Sequence, residues 1–346
     1  MKKLILPIIV VIIIVIVIIV LPKTEDPIEL EEKTDITYTN NEFSLTLPST
    51  WEGFYEVEIK ENNTIFTYLP ENDMETLLLI ISTHPGTTSV FSLKNTPNTV
   101  IIAQTMETIF TYSQALDIPY QQGTADHDRY IEMIEQVDSV LESIKTDDLY
   151  ALNKNIREFK DDKLFIDVNY PEIDQGINQT IKQEIEKIMN EFKTNFEEWG
   201  DMDVPEGAFS GFYADYEIKI LNDKYASIYF IISENLAGAA HPNNFSHSLN
   251  FDMQTKQKLE LDDLFTTKDY LTTISELVIG DLKEQFEERG AVIDDTFTTG
   301  TEAKKENYSN FNITEQGIIF NFDSYQVAAY AVGGFNSLIY FEELDI

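Results

Sequence analysis

Cysteine is absent from all 346 residues of this chain. That excludes a disulfide framework, a cysteine nucleophile and a lipid-modified N-terminal cysteine, so stability has to come from packed cores. Basic residues are scarce as well: 24 Lys and Arg stand against 61 Asp and Glu, for a formal net charge of -37. A surface so acidic repels phosphate backbones, which argues against nucleic-acid partners. It attracts cations, basic peptides and basic proteins, chiefly by speeding their encounter. The same imbalance also fits a plain solubility or salt adaptation. No alanine occurs before Ala103, so the small residues that signal-peptide cleavage requires are missing behind the first apolar run. The chain has no Gly-x-Ser-x-Gly, no Ser-x-x-Lys and no His-Glu-x-x-His, the patterns that would nominate a serine hydrolase or a zinc protease.

What the chain does have begins with residues 4–21, Leu4 to Leu21, which are apolar without a break. As a helix this run covers ~27 Å, close to the hydrocarbon thickness of a bilayer. Lys2 and Lys3 precede it, and Glu25, Asp26, Glu29, Glu31 and Glu32 follow. The expected arrangement is an uncleaved transmembrane helix over 4–21, a cytoplasmic stub of residues 1–3, an acidic stalk over 22–34, and an extracellular body. A cleaved signal peptide is the competing reading. The composition of the rest is globular, with 43% hydrophobic and 12% aromatic residues. Low Ala and Arg, abundant Ile, Lys and Asn, and an exported chain free of cysteine together fit a Gram-positive cell surface.

Alternation of apolar and polar residues predicts strands at 43–47, 55–59, 64–69 and 77–82. A helix over 130–144 then closes a first α+β domain, 35–146, with Ile131, Ile134, Val137, Leu141 and Ile144 on one face. The order of strand, Leu47-Pro-Ser-Thr-Trp51, further strands and closing helix is faintly similar to PsbP/Mog1-like domains. A second unit, 149–346, opens with a strand at 164–170. Ile177, Ile181, Ile185, Ile188, Phe192, Phe196 and Trp199 follow at helical spacing. Strands are expected at 211–221, 225–234, 245–253, 308–313, 317–321 and 336–341, with a second long helix from about Asp269 to Arg289. The fold class that emerges is α+β, antiparallel sheets packed by amphipathic helices.

Gly238-Ala-Ala-His-Pro-Asn243, Asn250-Phe-Asp252, Leu259-Glu-Leu-Asp-Asp-Leu-Phe265 and the segment from Phe322 to Gly333 occur in a recognisable order and spacing. Over residues 149–346 the chain resembles the paired extracytoplasmic domains shared by the anti-sigma factor RsiV and the peptidoglycan deacetylase PdaC. In the former such a domain binds lysozyme; in the latter it precedes a catalytic domain. With three residues ahead of the apolar run and none after Ile346, neither a sigma-binding segment nor a deacetylase domain is expected. The resemblance implies an envelope recognition module. Its ligand would be a basic protein such as lysozyme, or else peptidoglycan glycan bound in support of a separate wall enzyme. The Thr-Phe-Asp-Asp motif associated with polysaccharide deacetylases is missing, and no cofactor is implied. An enzyme of unrecognised type is the third alternative.

The resemblance points to Tyr325, Tyr330, Gly333, His241 and Pro242 as candidate ligand-binding residues. Tyrosines on a rigid loop supply contact area with few rotors, although they equally suit a core corner. His241 either lines a groove, pairs with His247 on a metal, or shapes its turn. Acidic pairs at Asp126/Asp128, Asp201/Asp203, Asp262/Asp263 and Asp294/Asp295 lack the calcium-loop alternation and read as solvated turns.

Overall fold

Period-two alternation sets the strands that make up most of the body; the structure, a computed structural model, describes residues 34–71, 73–160, 163–199 and 208–344. The expected stub, transmembrane run and nearly all of the stalk lie outside the described residues. Among the described residues no helix is long and apolar enough to cross a membrane.

In the N-terminal module β1 (Ile36–Thr39) and β2 (Ser44–Leu47) form a hairpin. Its turn is closed by Asn40, whose side-chain oxygen accepts from the N–H groups of Glu42 and Phe43 at 2.8 and 2.9 Å. Pro48 then starts a single 3-10 turn that buries Trp51 completely, its indole N–H donating to Gln136 Oε1 at 2.8 Å. Strands β3 (Tyr55–Lys60), β4 (Asn63–Tyr68), β5 (Thr76–Pro85), β6 (Val100–Gln104) and β7 (Thr108–Ser113) pair antiparallel in the order β3-β4-β5-β7-β6. Short α1 (Val90–Lys94) packs Leu93 against Ile101 and Ile109. Helix α2 (Ala125–Glu142), capped by the Thr124 hydroxyl, covers the sheet with Tyr130, Met133, Val137, Val140 and Leu141. That face is rotated from the expected one, leaving Ile131 and Ile134 half-buried. The cause is Tyr130, whose ring fills the core while its hydroxyl donates to the Leu77 carbonyl at 2.8 Å, an option no aliphatic side chain offers.

The chain continues through β8 (Ala151–Lys160), β9 (Leu164–Glu172), α3 (Gln175–Trp199), β10 (Ser210–Leu221), β11 (Tyr225–Asn235), β12 (Asn243–Asp252) and the two-residue β13 (Gln257–Lys258). Neighbours are antiparallel except β9 and β10, which run parallel because α3 carries the chain back between them. The predicted stripe on α3 is seen: Ile177, Ile181, Ile185 and Phe192 are buried on the sheet, with Met189 beside a half-buried Ile188. Two pairings, Ala103 with Leu152 and Gln104 with Ala151, join β6 to β8. One sheet of eleven strands therefore runs from β13 to β3. Its outer strands are β13 and the exposed β3, which carries Glu56, Glu58 and Lys60.

A third core follows. Helix α4 (Tyr270–Arg289) ends at Gly290, whose φ of 64° is the left-handed geometry glycine adopts freely. Short α5 (Asp295–Gly300) leads to β14 (Phe311–Ile313), β15 (Gly317–Phe322) and β16 (Phe335–Tyr340), a separate antiparallel sheet. The strand expected from residue 308 starts later. Tyr308 sits in a 3-10 turn, drawn there by a 2.6 Å hydrogen bond from its hydroxyl to the Thr301 carbonyl.

The small sheet docks on the face of β11 and β12 opposite α3, and the contact is polar. Ser227, Asn250, Asn312 and Asn321 are all at most 2% exposed. Asn312 donates to Ser227 Oγ and the Ile228 carbonyl at 2.9 and 3.1 Å, and accepts from Ser248 Oγ and Asn321 Nδ2, each at 2.9 Å. These four bonds fill its whole capacity. Asn250 accepts from Ser227 Oγ at 2.7 Å and donates to the Phe311 carbonyl at 2.8 Å. Burial of amides at this depth is tolerable only because each is satisfied.

Replacing Asn312 with Ala strips one partner from each of three buried groups and from the half-buried Ser248 hydroxyl. The expected cost is about 2–4 kcal/mol, read as a lower denaturation midpoint in urea with an unchanged slope. A loss under about 0.5 kcal/mol, the range of an indifferent surface site, would show that the network does not hold the two sheets together.

Candidate functional site

Beyond β15 the chain turns sharply, and the network fixes where it goes. Asp323 Oδ1 accepts from the Ser246 N–H at 2.9 Å and the Ser246 hydroxyl at 2.6 Å, tying the loop to β12. Burial raises the Asp323 carboxyl above its ordinary value, against the pull of those hydrogen bonds. The turn closes through Gln326 N–H to the Asp323 carbonyl and Tyr325 N–H to the Ala328 carbonyl, both 3.1 Å. Tyr325 takes a φ of 73°. For a bulky non-glycine residue that conformation costs roughly 1–2 kcal/mol, so the surrounding bonds must hold it.

Held that way, Tyr325 stays 61% exposed. Its ring stacks on Tyr330 with centroids 5.4 Å apart, and Tyr330 stacks in turn on His241 at 4.1 Å and an interplanar angle of 22°. The Tyr330 hydroxyl donates to the Pro242 carbonyl at 3.1 Å and accepts from Asn244 Nδ2 at 3.4 Å. Gly333 ends the 3-10 turn Tyr330–Val332 at a φ of 85°, a conformation that strains any side chain. The structure thus brings the five sequence-predicted residues together. Three rings form a stacked tip, the Pro242 carbonyl holds the central one, and Gly333 shapes the loop.

His247 is not part of the tip. Period two along β12 places it on the α3 side with Leu249 and Phe251, its Nε2 3.8 Å from a Glu184 carboxylate oxygen. Burial lowers its pKa despite Glu184, keeping the imidazole neutral at pH 7. Among the described residues no three His, Cys, Asp or Glu side chains gather as metal ligands. The acidic pairs have structural uses. Asp126 accepts from the Glu71 N–H at 2.9 Å, Asp294 caps α5, and Asp262 pairs with Lys305 at 2.8 Å. Asp201, Asp203 and Glu206 lie outside the described residues.

A cleft of about 530 Å³ opens beside the tip on the same sheet face. Asn244, Ser246, Asp323 and Ser324 form one wall; Asp167, Tyr213, Asp215 and Ile231 belong to the floor; Lys94 of α1 comes in from the N-terminal module. The Lys94 ammonium pairs with Asp215, which also accepts from Asn169 Nδ2 at 2.6 Å. Burial brings the Lys94 pKa down to about 8, with Asp167 pulling the other way. The sequence reading missed Asp323, Ser246 and Lys94. The available signal was Ser246, Ser248 and Asn250 alternating with apolar residues, which reads equally as a solvated strand face.

Comparison with known proteins divides the chain where the cores divide it. Residues 157–244 match the family model for deacetylase PdaC, and residues 262–342 match that for a protein of unknown function (DUF3298). The peptidoglycan-N-acetylmuramic acid deacetylase PdaC of Bacillus subtilis (strain 168) is 29% identical over 201 residues, covering 57% of this chain and 42% of that protein. The chain therefore spans less than half the length of that relative. A solved DUF3298 family structure from Bacteroides fragilis aligns over 56% of this chain and 91% of its own, with 18% identity and a TM-score of 0.41. One from Pseudomonas aeruginosa aligns over 56% and 92%, with 10% identity and a TM-score of 0.42.

Because the Asp323 carboxyl is raised in the folded state, folding favours its protonated form, and its contribution to stability falls as pH rises through the folded value. Asp323→Asn keeps an oxygen for both Ser246 donors and removes that charge. The variant is expected to melt above the parent at pH 7, with the difference shrinking toward about pH 4, where the unfolded carboxyl protonates. A difference that grows on acidification would mean that burial does not dominate at this site.

Proposed function

The C-terminal half of the chain is PdaC/DUF3298-like, and from that premise we propose that the protein is a membrane-anchored binding protein facing outward in the bacterial cell envelope. The PdaC relative is a peptidoglycan deacetylase, which supports the wall compartment. Residues 4–21, with Lys2 and Lys3 ahead of them, support an uncleaved anchor. Disulfide-free cores suit either side of the membrane and do not oppose this placement.

The observation that carries the binding role is the stacked tip. Tyr325 is pushed into solvent on a backbone that costs energy to maintain, and the ring behind it is locked by hydrogen bonds to Pro242 and Asn244. A rigid aromatic knob loses little entropy on contact, which is what makes tyrosine effective at protein interfaces. The ligand that fits the net charge of -37 is a basic protein such as lysozyme, drawn in by the acidic field. At the tip the reading is binding, because the polar groups around the rings are spent on holding the loop. A glycan-binding role is the second reading, favoured by the cleft beside the tip.

Residues 35–346 form one compact unit and are expected to bind lysozyme at ~1–10 μM or tighter in low salt, weakening as salt screens the field. Tyr325→Ala should cost at least about tenfold in affinity while leaving the melting temperature nearly unchanged, since it removes no core contact. Absence of binding at low salt would remove the lysozyme reading. For the anchor, the full chain should resist alkaline extraction from membranes, and a product trimmed just past Leu21 and recovered from the medium would contradict it.

A further inference from the structure

We infer that the cleft beside the ring stack is a second binding site, one for a neutral saccharide chain, and that the N-terminal module supplies part of its wall. The sheet face opposite α3 is covered by the small sheet only as far as Asp323. Past that point it stays open as a cleft of about 530 Å³, inside the ~300–1,000 Å³ range of small-molecule sites. Its floor combines apolar and polar groups in the proportion a sugar needs. Tyr213 and Ile231 remain 37% and 47% exposed, offering flat apolar surface to the C–H face of a pyranose ring. The Tyr213 ring is braced edge-on by Phe165 at 5.6 Å and lies back over Gly211, where any Cβ would come within 2.6 Å of it. The absence of a side chain at 211 is therefore what lets the ring lie down.

The charges of the floor exclude the other ligand classes. Every floor carboxylate already has a cationic neighbour: Asp215 has Lys94, Asp167 has Arg157 at 2.8 Å, and Glu217 has Lys219 at 2.6 Å. The wall carboxylate Asp323 is met by the two Ser246 donors instead. A cation is thus not required to neutralise the floor, and an anion meets four carboxylates within a strongly negative molecule. What remains unfilled is hydrogen-bonding capacity of both signs. Asp215 accepts from the Asn169 amide through Oδ1 at 2.6 Å, which leaves its other oxygen and the second Asn169 N–H for a ligand. A hydroxyl both donates and accepts, so a saccharide hydroxyl pair matches this carboxylate–amide pair.

Lys94 makes the site composite. It comes from α1, held in the N-terminal module by the Leu93, Ile101 and Ile109 cluster, and its ion pair with Asp215 spans 121 residues of sequence. The two modules share one sheet, so this wall stands in fixed relation to the floor, and the N-terminal module contributes directly to binding.

The inference rests on the envelope reading only for the choice of probe. The full chain, purified in detergent, is titrated calorimetrically with the tetramer of N-acetylglucosamine and, separately, with lysozyme. Saccharide binding with a Kd below ~1 mM is expected. Tyr213→Ala and Asp215→Asn should each weaken it at least about tenfold, and Lys94→Met several-fold, while Tyr325→Ala leaves it unchanged. The cleft variants should keep the parent's circular dichroism and a cooperative melt, which certifies their fold; if Asp215→Asn fails to fold, Tyr213→Ala, whose ring is partly exposed, decides alone. In salt high enough to screen the overall acidic field, glucosamine tetramer, which carries amines, should bind less well than the neutral probe. No heat with the neutral tetramer up to ~10 mM, unchanged affinity in folded Tyr213→Ala, or a preference for the amine-bearing tetramer would overturn the inference. Lysozyme binding without saccharide binding defeats this inference alone; saccharide binding without lysozyme binding defeats only the basic-protein reading.

Discussion

A buried lattice of amides and hydroxyls between two sheets is the constraint on which the C-terminal half depends. Apolar sheet faces can slide over one another at modest cost, because dispersion contacts have little directionality. The Ser227, Asn250, Asn312 and Asn321 lattice removes that freedom. Any shift in register would orphan several buried donors and acceptors at once, each worth ~1–3 kcal/mol in lost solvation. The docking is therefore specified by hydrogen bonding, while the apolar cores on either side supply the bulk of the stabilisation.

The surface features follow from this lattice. Ser246 belongs to the same face of β12 as Ser248 and Asn250, and Asn310 donates to it at 2.8 Å. Ser246 holds Asp323, Asp323 sets the turn, and the turn forces Tyr325 into its costly conformation against Tyr330 and His241. The tip and the cleft share Asp323 and Asn244 as neighbours, so they are two sides of one loop anchored at one place. A ligand touching either surface meets a scaffold that was rigid beforehand.

Regular elements were legible in the sequence where a single physical rule decides them. The α3 stripe from Ile177 to Phe192 follows helical periodicity because nothing polar competes for the buried face. On α2 the same rule mis-phased the face, since a count of Ile, Val and Leu ignores a tyrosine that buries its ring and satisfies its hydroxyl locally. The candidate residues at the tip were legible through resemblance to the RsiV/PdaC domains, not through chemistry visible in them. The lattice and the cleft were not legible. Polar residues alternating along β12 describe a solvated face until a sheet more than sixty positions later covers it, as the bond from Ser248 to Asn310 shows. Lys94 and Asp215 meet only because β6 happens to pair with β8.

An eleven-stranded sheet exposes just two lateral borders, however long it grows, and here both are unfit for recruiting another strand. One is mostly the outer edge of β12, where the two-residue β13 pairs only with Phe251 and Asp252 and the Asp323 and Asn310 side chains take the Ser246 N–H and carbonyl; the other, β3, points Glu56, Glu58 and Lys60 outward. Unpaired backbone along such a border is ordinarily an invitation to aggregate, and cover or charge withdraws it. Copies of this chain crowded side by side can therefore stay separate even though each carries a broad, β-rich body.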